Sequence, residues 1–399
     1  MEEEKRKKHR RKKRPQKEAV VIPDPATLIA LFALMIIGAI MVYSTTSYTT
    51  DLNAQSNFLR KQLTAELIGI VGIAFVYLVP YDFIRMFGGK FWRRLILIAS
   101  AGSILLLKTS MGKTVNGATR WLELGPLGQV QPAEIVKIAV LVFIAGYIAE
   151  KKEEINDLKT YGLPLIVTVG MAGLVYLISN NLSSAIIIAG IGVLMLFAST
   201  KDWKWQIIIY AALLVIAVWA LISKAHAEAA AGNIDNMKFR YKRILIWEDP
   251  TNPDFYYEGA FQTLQGLYAI GSGGVTGKGV GKGIQKLDKI PEVHNDMIYS
   301  AICEETGLVG ATVVLFLLGL IVYRCLVIAL NSRDTYGMLL AAGVMIHIAL
   351  QTILNVMVVT NTMPNTGVSL PFISYGGSSA LFLMLEVGLV LRVARHNHR

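Results

Sequence analysis

Residues 162–199 read GLPLIVTVGMAGLVYLISNNLSSAIIIAGIGVLMLFAS. Two apolar blocks, 162–179 and 182–199, flank the polar pair Asn180-Asn181 and nothing else. As helix, each block rises about 27 Å, close to the ~30 Å hydrocarbon core of a bilayer. Backbone polar groups in lipid must be satisfied within their own segment, which selects helix for such runs. The stretch therefore reads as two membrane spans joined by a very tight turn.

Blocks of the same kind recur on both sides, at 26–46, 63–81, 93–108, 132–149, 205–223, 298–328, 336–360 and 371–393, making ten in all. The first is longer than the apolar region of a signal peptide and is followed by further spans, so it reads as a span. Composition agrees: 54% of the 399 residues are apolar and 17% are charged, against about a quarter charged in soluble domains. A soluble fold and intrinsic disorder are both excluded for all but the ends. The expected fold class is all-α: a polytopic membrane protein with ten transmembrane helices and one large extracytoplasmic loop between spans seven and eight.

Charge sets the orientation. Lys and Arg are rich in every second connection (Arg85, Lys90, Arg93 and Arg94; Lys151, Lys152 and Lys159; Lys201 and Lys204; Arg324 and Arg333; Arg392, Arg395 and Arg399) and sparse in the others. By the positive-inside rule both termini are cytoplasmic. Residues 1–24 form a basic tail, 25–395 the membrane domain and 396–399 a short cytoplasmic end. The first 18 residues, with ten Lys/Arg against four Glu, supply more than half of the net charge of +11. The tail suits topology, anionic lipid or a cytoplasmic protein partner, and no nucleic-acid partner is implied. Cys303 and Cys325, if they share one helix, lie about 33 Å apart, too far to form a disulfide.

The large loop, 224–296, carries nine Lys/Arg and nine Asp/Glu. Within it, 260-AFQTLQGLYAI-270 has the spacing of an interfacial helix. The Gly-rich run 271-GSGGVTGKGVGKG-283 matches neither nucleotide-loop template, because Ser272 and Thr276 stand where a leading Gly is required. Its backbone N–H groups, with Lys278, Lys282 and Lys286, suit a pyrophosphate; a flexible hinge over a membrane groove is the alternative.

Ionisable groups within spans mark function by default. Glu134 and Lys137, three apart after Gln131-Pro132, share one helix face near the outer surface. Asp296 stands at the outer mouth of span eight, with Glu304 and Glu305 further in and about 100° apart around the helix. His347 and Gln351 on span nine suit bonds to each other or to a neighbouring helix, and Glu386 lies towards the inner leaflet. The loop 361-NTMPNTGVSLPFISYGGSSA-380 brings irregular backbone to the outer end of span ten, which requires cover by protein or a wet cavity. These residues describe a polar pocket open to the outside, compatible with transport or with catalysis on a lipid substrate.

Five segments, 116-NGATRWLELG-125, 131-QPAEIVK-137, 270-IGSGGVTGKGVGKGIQK-286, 291-PEVHNDMIYSAICEETGLVG-310 and 366-TGVSLPFISYGGSS-379, together resemble the SEDS family (shape, elongation, division and sporulation), which includes FtsW, RodA and SpoVE. The resemblance runs from about residue 25 to 395. It implies a peptidoglycan glycosyltransferase that polymerises lipid II on the outer face of the bacterial cytoplasmic membrane, beside a class B penicillin-binding protein and other division or elongation proteins. It implies Asp296 as the catalytic carboxylate, and substrate contacts from Arg120, Trp121, Gln131, Glu134, Lys137, Lys278, Lys286, His294, Ser374 and Tyr375. No nucleotide cofactor is expected; a divalent cation, Mg or Mn, is compatible. The physical alternative for Asp296 is an N-cap of span eight, and the alternative function is a flippase for the lipid-linked precursor.

Two positions depart from the family pattern. Asn295-Asp296-Met297 stands where Thr or Ser, Asp and Phe are usual. Asn180-Asn181-Leu182-Ser183-Ser184 replaces Pro-Asp-x-Gly-Thr, so this corner brings no carboxylate.

Overall fold

The computed structural model describes residues 23–46, 52–115, 118–123, 125, 128–152, 154–200, 203–231, 237–287 and 293–397. Residues 1–22 of the basic tail and the end at 398–399 lie outside the described residues.

In chain order the helices are α1 (Pro25–Thr46), α2 (Leu52–Leu78), α3 (Tyr81–Gly88) and α4 (Lys90–Leu105). A small antiparallel sheet follows, β1 (Gly112–Val115), β2 (Ala118–Glu123) and β3 (Gln129–Val130). Then come α5 (Pro132–Glu150), α6 (Leu158–Ser179), α7 (Leu182–Ser199), α8 (Trp203–Ala230), α9 (Phe239–Glu248), α10 (Ala260–Gly273), α11 (Ile298–Leu330), α12 (Thr335–Val359) and α13 (Gly377–Asn397). Nine of these helices are long and apolar enough to cross a membrane among the described residues. The expected block at 93–108 forms the shorter α4 and a single 3-10 turn, Leu106–Lys108. Together these rise about 30 Å.

The hairpin at 180–181 forms as the sequence demands. Asn180 closes α6 in the left-handed conformation (φ 50°), and the Asn181 side chain accepts a bond from Ser184 N (3.0 Å), capping α7. Pro132 opens α5 at its first turn, where a missing N–H costs nothing. This helix is the most enclosed of the spans, packed against α4, α7 and α12. Lipid offers no hydrophobic drive between helices, so close approach of small residues does the packing. At Gly146 a Cβ would fall 2.4 Å from the Gly88 carbonyl, and at Gly192 one would meet the Thr168 hydroxyl at 2.4 Å.

Three boundaries differ from the sequence expectation. Helix α8 continues to Ala230, so the large loop begins later than residue 224. Helix α2 starts at Leu52, outward of residue 63, over residues polar enough to leave the bilayer. Residues 371–376 stay irregular ahead of α13. Helix α11 is also broken: Gly307 (φ 66°, ψ −166°) separates its outer turns from the inner span. Both cysteines are buried free thiols.

That break organises the Gly-rich run. Leu308 N and Val309 N donate to Gly274 O and Val275 O (2.9 and 3.1 Å), while Lys278 N and Gly279 N donate to Glu304 O and Glu305 O (3.0 and 2.9 Å). The loop thus satisfies the backbone groups that the helix break exposes. A Cβ on Gly307 would lie 2.3 Å from Gly277 N, so no larger residue fits.

Candidate active site

Asp296 sits in the turn that enters α11. The N-cap position is Met297, without a side-chain cap bond. Its backbone carbonyl accepts from Asn355 Nδ2 (2.8 Å) on α12, and the neighbouring His294 carbonyl accepts from Tyr375 N (2.9 Å). The carboxylate faces the loop after α12: Oδ2 is 3.8 Å from where a Cβ on Gly367 would stand. Gly367 has φ +72°, a conformation that suits glycine.

Two arginines complete the charge pattern. Arg243, on α9, donates to the Asn365 carbonyl (2.8 Å), and Arg120, on β2, donates to the Asn180 carbonyl (3.0 Å). Burial lowers the Arg243 guanidinium from its usual pKa, with Asp296 opposing that shift and Arg120 reinforcing it. Burial likewise lowers Arg120. A guanidinium starts so high that both stay cationic at any working pH. Ser183, at the start of α7, donates to the Thr366 carbonyl. The sheet, the α6–α7 hairpin, α9 and the loop 361–376 therefore converge on Asp296.

His294, two residues before Asp296, clusters with Tyr375 and with Phe58 of α2, the rings tilted or edge-to-face rather than stacked. The ring centroids lie 4.9 Å apart for Phe58–His294, 5.1 Å for Phe58–Tyr375 and 5.5 Å for His294–Tyr375. Ser374 is buried, and its hydroxyl accepts from Leu370 N (2.7 Å), so it builds the loop. Trp121 is half-buried on β2, opposite Lys113. Gln131 precedes α5 without a side-chain cap bond. Glu134 and Lys137 pair at 2.9 Å in the first turn of α5, both buried.

The loop lysines are placed differently from the expectation that they hold a pyrophosphate. Lys286 is 1% exposed and pairs with Glu305 at 2.6 Å; Lys278 pairs with Glu304 at 2.7 Å. Ser44 of α1 also donates to Glu305 (2.7 Å), and the N–H groups of Gly281, Ile284 and Gln285 turn onto the two glutamates. Two carboxylates at membrane depth need partners, and the Gly-rich backbone turns its donors inward to supply them. Each glutamate faces its own lysine, as their angular separation requires.

Further in, His347 Nδ1 lies 2.8 Å from Glu386 Oε2, and both residues are fully buried between α12 and α13. Gln351 binds the Ser369 carbonyl (3.1 Å), so both residues bond to elements other than each other. Sequence reasoning missed Arg243, Asn355, Gly367 and the small sheet. Arg243 is one cation among nine in its loop, and only the docking of α9 on residues 361–365 singles it out.

The profile of the FtsW/RodA/SpoVE family, described as cell cycle proteins, matches residues 25–399. The stage V sporulation protein E of Bacillus subtilis is 30% identical over 382 residues, covering 94% of this chain and 98% of that protein. A probable peptidoglycan glycosyltransferase FtsW of Trichlorobacter lovleyi is 32% identical over 381 residues, covering 93% of each. Among solved structures, a chain of a peptidoglycan synthase complex that coordinates polymerization and crosslinking superposes with a TM-score of 0.74 at 24% identity, covering 95% of this chain and 99% of that one. The rod shape determining protein RodA of Thermus thermophilus gives 0.66 at 23% identity, with the same coverage.

Proposed function

The chain belongs to the FtsW/RodA/SpoVE family, and on that premise we propose that it is a peptidoglycan glycosyltransferase that polymerises lipid II at the outer face of the cytoplasmic membrane. The observation that carries the chemistry is the gathering of four outer segments around one carboxylate, Asp296, with the Arg243 guanidinium within range of its charge and Arg120 within range of Arg243.

A sugar hydroxyl is a poor nucleophile. Asp296 accepts its proton as the new bond to the anomeric carbon forms, a role worth about 10²–10⁴-fold. The bond that breaks joins that carbon to the lipid pyrophosphate, which departs with the electron pair. Arg243 and Arg120 neutralise the charge that develops there, in a site where water competes poorly. Direct displacement inverts an α-linked donor and gives a β-linked glycan. The leaving group is already a stable anion, so no general acid and no nucleotide cofactor are needed.

A divalent cation is compatible, since Mg²⁺ is commonly held by one or two carboxylates together with substrate phosphates. Asp296 would hold such an ion together with the substrate pyrophosphate. The partner implied is a class B penicillin-binding protein, and the basic tail of residues 1–24 belongs on the cytoplasmic side with both termini. Glu386, a buried acid of the kind that a transporter would use, is paired with His347 in a closed interior, and this supports catalysis over alternating access.

Asp296→Asn keeps the shape and removes the proton acceptor. The purified variant, folded by its thermal melt, should make no glycan from lipid II. Polymerisation at the wild-type rate would remove Asp296 from the mechanism.

A further inference from the structure

Asn355 lies four residues before the end of α12 and is fully buried. Its Nδ2 donates to two carbonyls at once, those of Asp296 (2.8 Å) and Val368 (2.7 Å). We propose that Asn355 is a positioning residue that fixes the Asp296 carboxylate for proton transfer; this rests on the reading of Asp296 given above.

The two acceptors belong to the two segments that must keep register. Asp296 carries the carboxylate, and Val368 follows Gly367, the residue whose missing side chain leaves room beside Oδ2. An amide nitrogen bears two protons, and each is used here. A carboxylate of the same length bears none when ionised, and a hydroxyl bears one. Asparagine is thus the side chain of this length that can join both carbonyls. One helical turn deeper, Gln351 holds the same loop through the Ser369 carbonyl (3.1 Å) but makes no bond to the Asp296 segment. This end of α12 is therefore a polar edge on which the loop is hung, and of these two amides only Asn355 also ties down the backbone of the residue that carries the carboxylate. A misplacement of about 1 Å at a reacting group can cost about 10²-fold in rate.

The test is lipid II polymerisation by the purified full-length chain with its transpeptidase partner, comparing wild type, Asn355→Leu, Gln351→Leu and Asp296→Asn. Asn355→Leu should lower kcat about 100-fold with KM within about twofold, the signature of a displaced reacting group. Gln351→Leu removes a buried amide of α12 that holds the same loop and should leave kcat within about threefold, because no reacting group moves. Should Asn355→Leu fail to fold, Asn355→Ser replaces it; with one donor left, it should give a kcat between the two. Wild-type kcat in the folded Asn355 variant, or an equal loss in Gln351→Leu, overturns the positioning role. Activity in Asp296→Asn instead overturns the underlying reading, whatever the Asn355 variants do.

Discussion

Asp296 and Arg243 come from segments more than fifty residues apart, and only the fold brings their charges within range of each other. The carboxylate alone is an acid near a helix start, and the guanidinium alone is one basic residue in a neutral loop. Together with Arg120 they form a site with one more positive than negative charge, which suits a pyrophosphate that gains charge as it leaves. Removing one preorganised donor from such a site costs about 10²–10³ in kcat. Arg243→Ala should therefore lower the polymerisation rate by about that factor. Arg243→Lys should recover part of it, since an ammonium keeps the charge but not the planar fork that reaches Asn365.

The element that most changes its meaning between sequence and structure is the Gly-rich run. Its spacing suggests a phosphate cradle, yet its donors are turned onto Glu304 and Glu305. A buried pair is a poor source of net stability, but breaking one is expensive, about 3–5 kcal/mol, because the remaining charge is stranded. Lys286→Met should accordingly lower the melting temperature of the detergent-solubilised protein sharply. The double variant Lys286→Met/Glu305→Leu should recover most of the loss, as no charge is left without its partner. If the single variant melts like the wild type, the loop does not hold this end of α11. By contrast, the α6–α7 turn needs no such pairing: Asn180 supplies the left-handed residue and Asn181 the cap, both local properties of asparagine.

Across the whole molecule, polar groups are graded along the bundle from the end that holds Asp296. That end carries the half-buried charges of Asp296, Arg243 and Arg120, and the amides Asn355 and Gln351 follow. Deeper, the His347–Glu386 pair is sealed. A carrier that moves its substrate through the bundle needs its buried charges for alternate partners. A polymerase that works at the outer surface needs them only for helix register. His347→Leu/Glu386→Leu, which removes both members together, should therefore fold and polymerise lipid II within about threefold of wild type, as paired replacement of buried ions by apolar side chains is commonly neutral. Loss of polymerisation in a folded double variant would assign this pair a direct part in function. The most apolar stretch of α8 has no buried residue and leaves its surface to lipid, whereas nearer its C-terminal end Ala225 is buried against Met237, Tyr241 and Ile244.

The apolar spans and the 180–181 turn were determined by the sequence, because length, apolarity and the conformational habits of asparagine act locally on each segment. The motif segments likewise marked Asp296 and Arg120 as residues of interest. What sequence could not supply was partnership. Whether Lys286 faces a ligand or Glu305, whether Glu386 is open or matched by His347, and that Arg243 and Asn355 meet Asp296 at all depend on contacts between segments far apart in the chain. A side chain's type states what it can bond to, whereas only the packed bundle decides which of its possible partners comes within 3 Å.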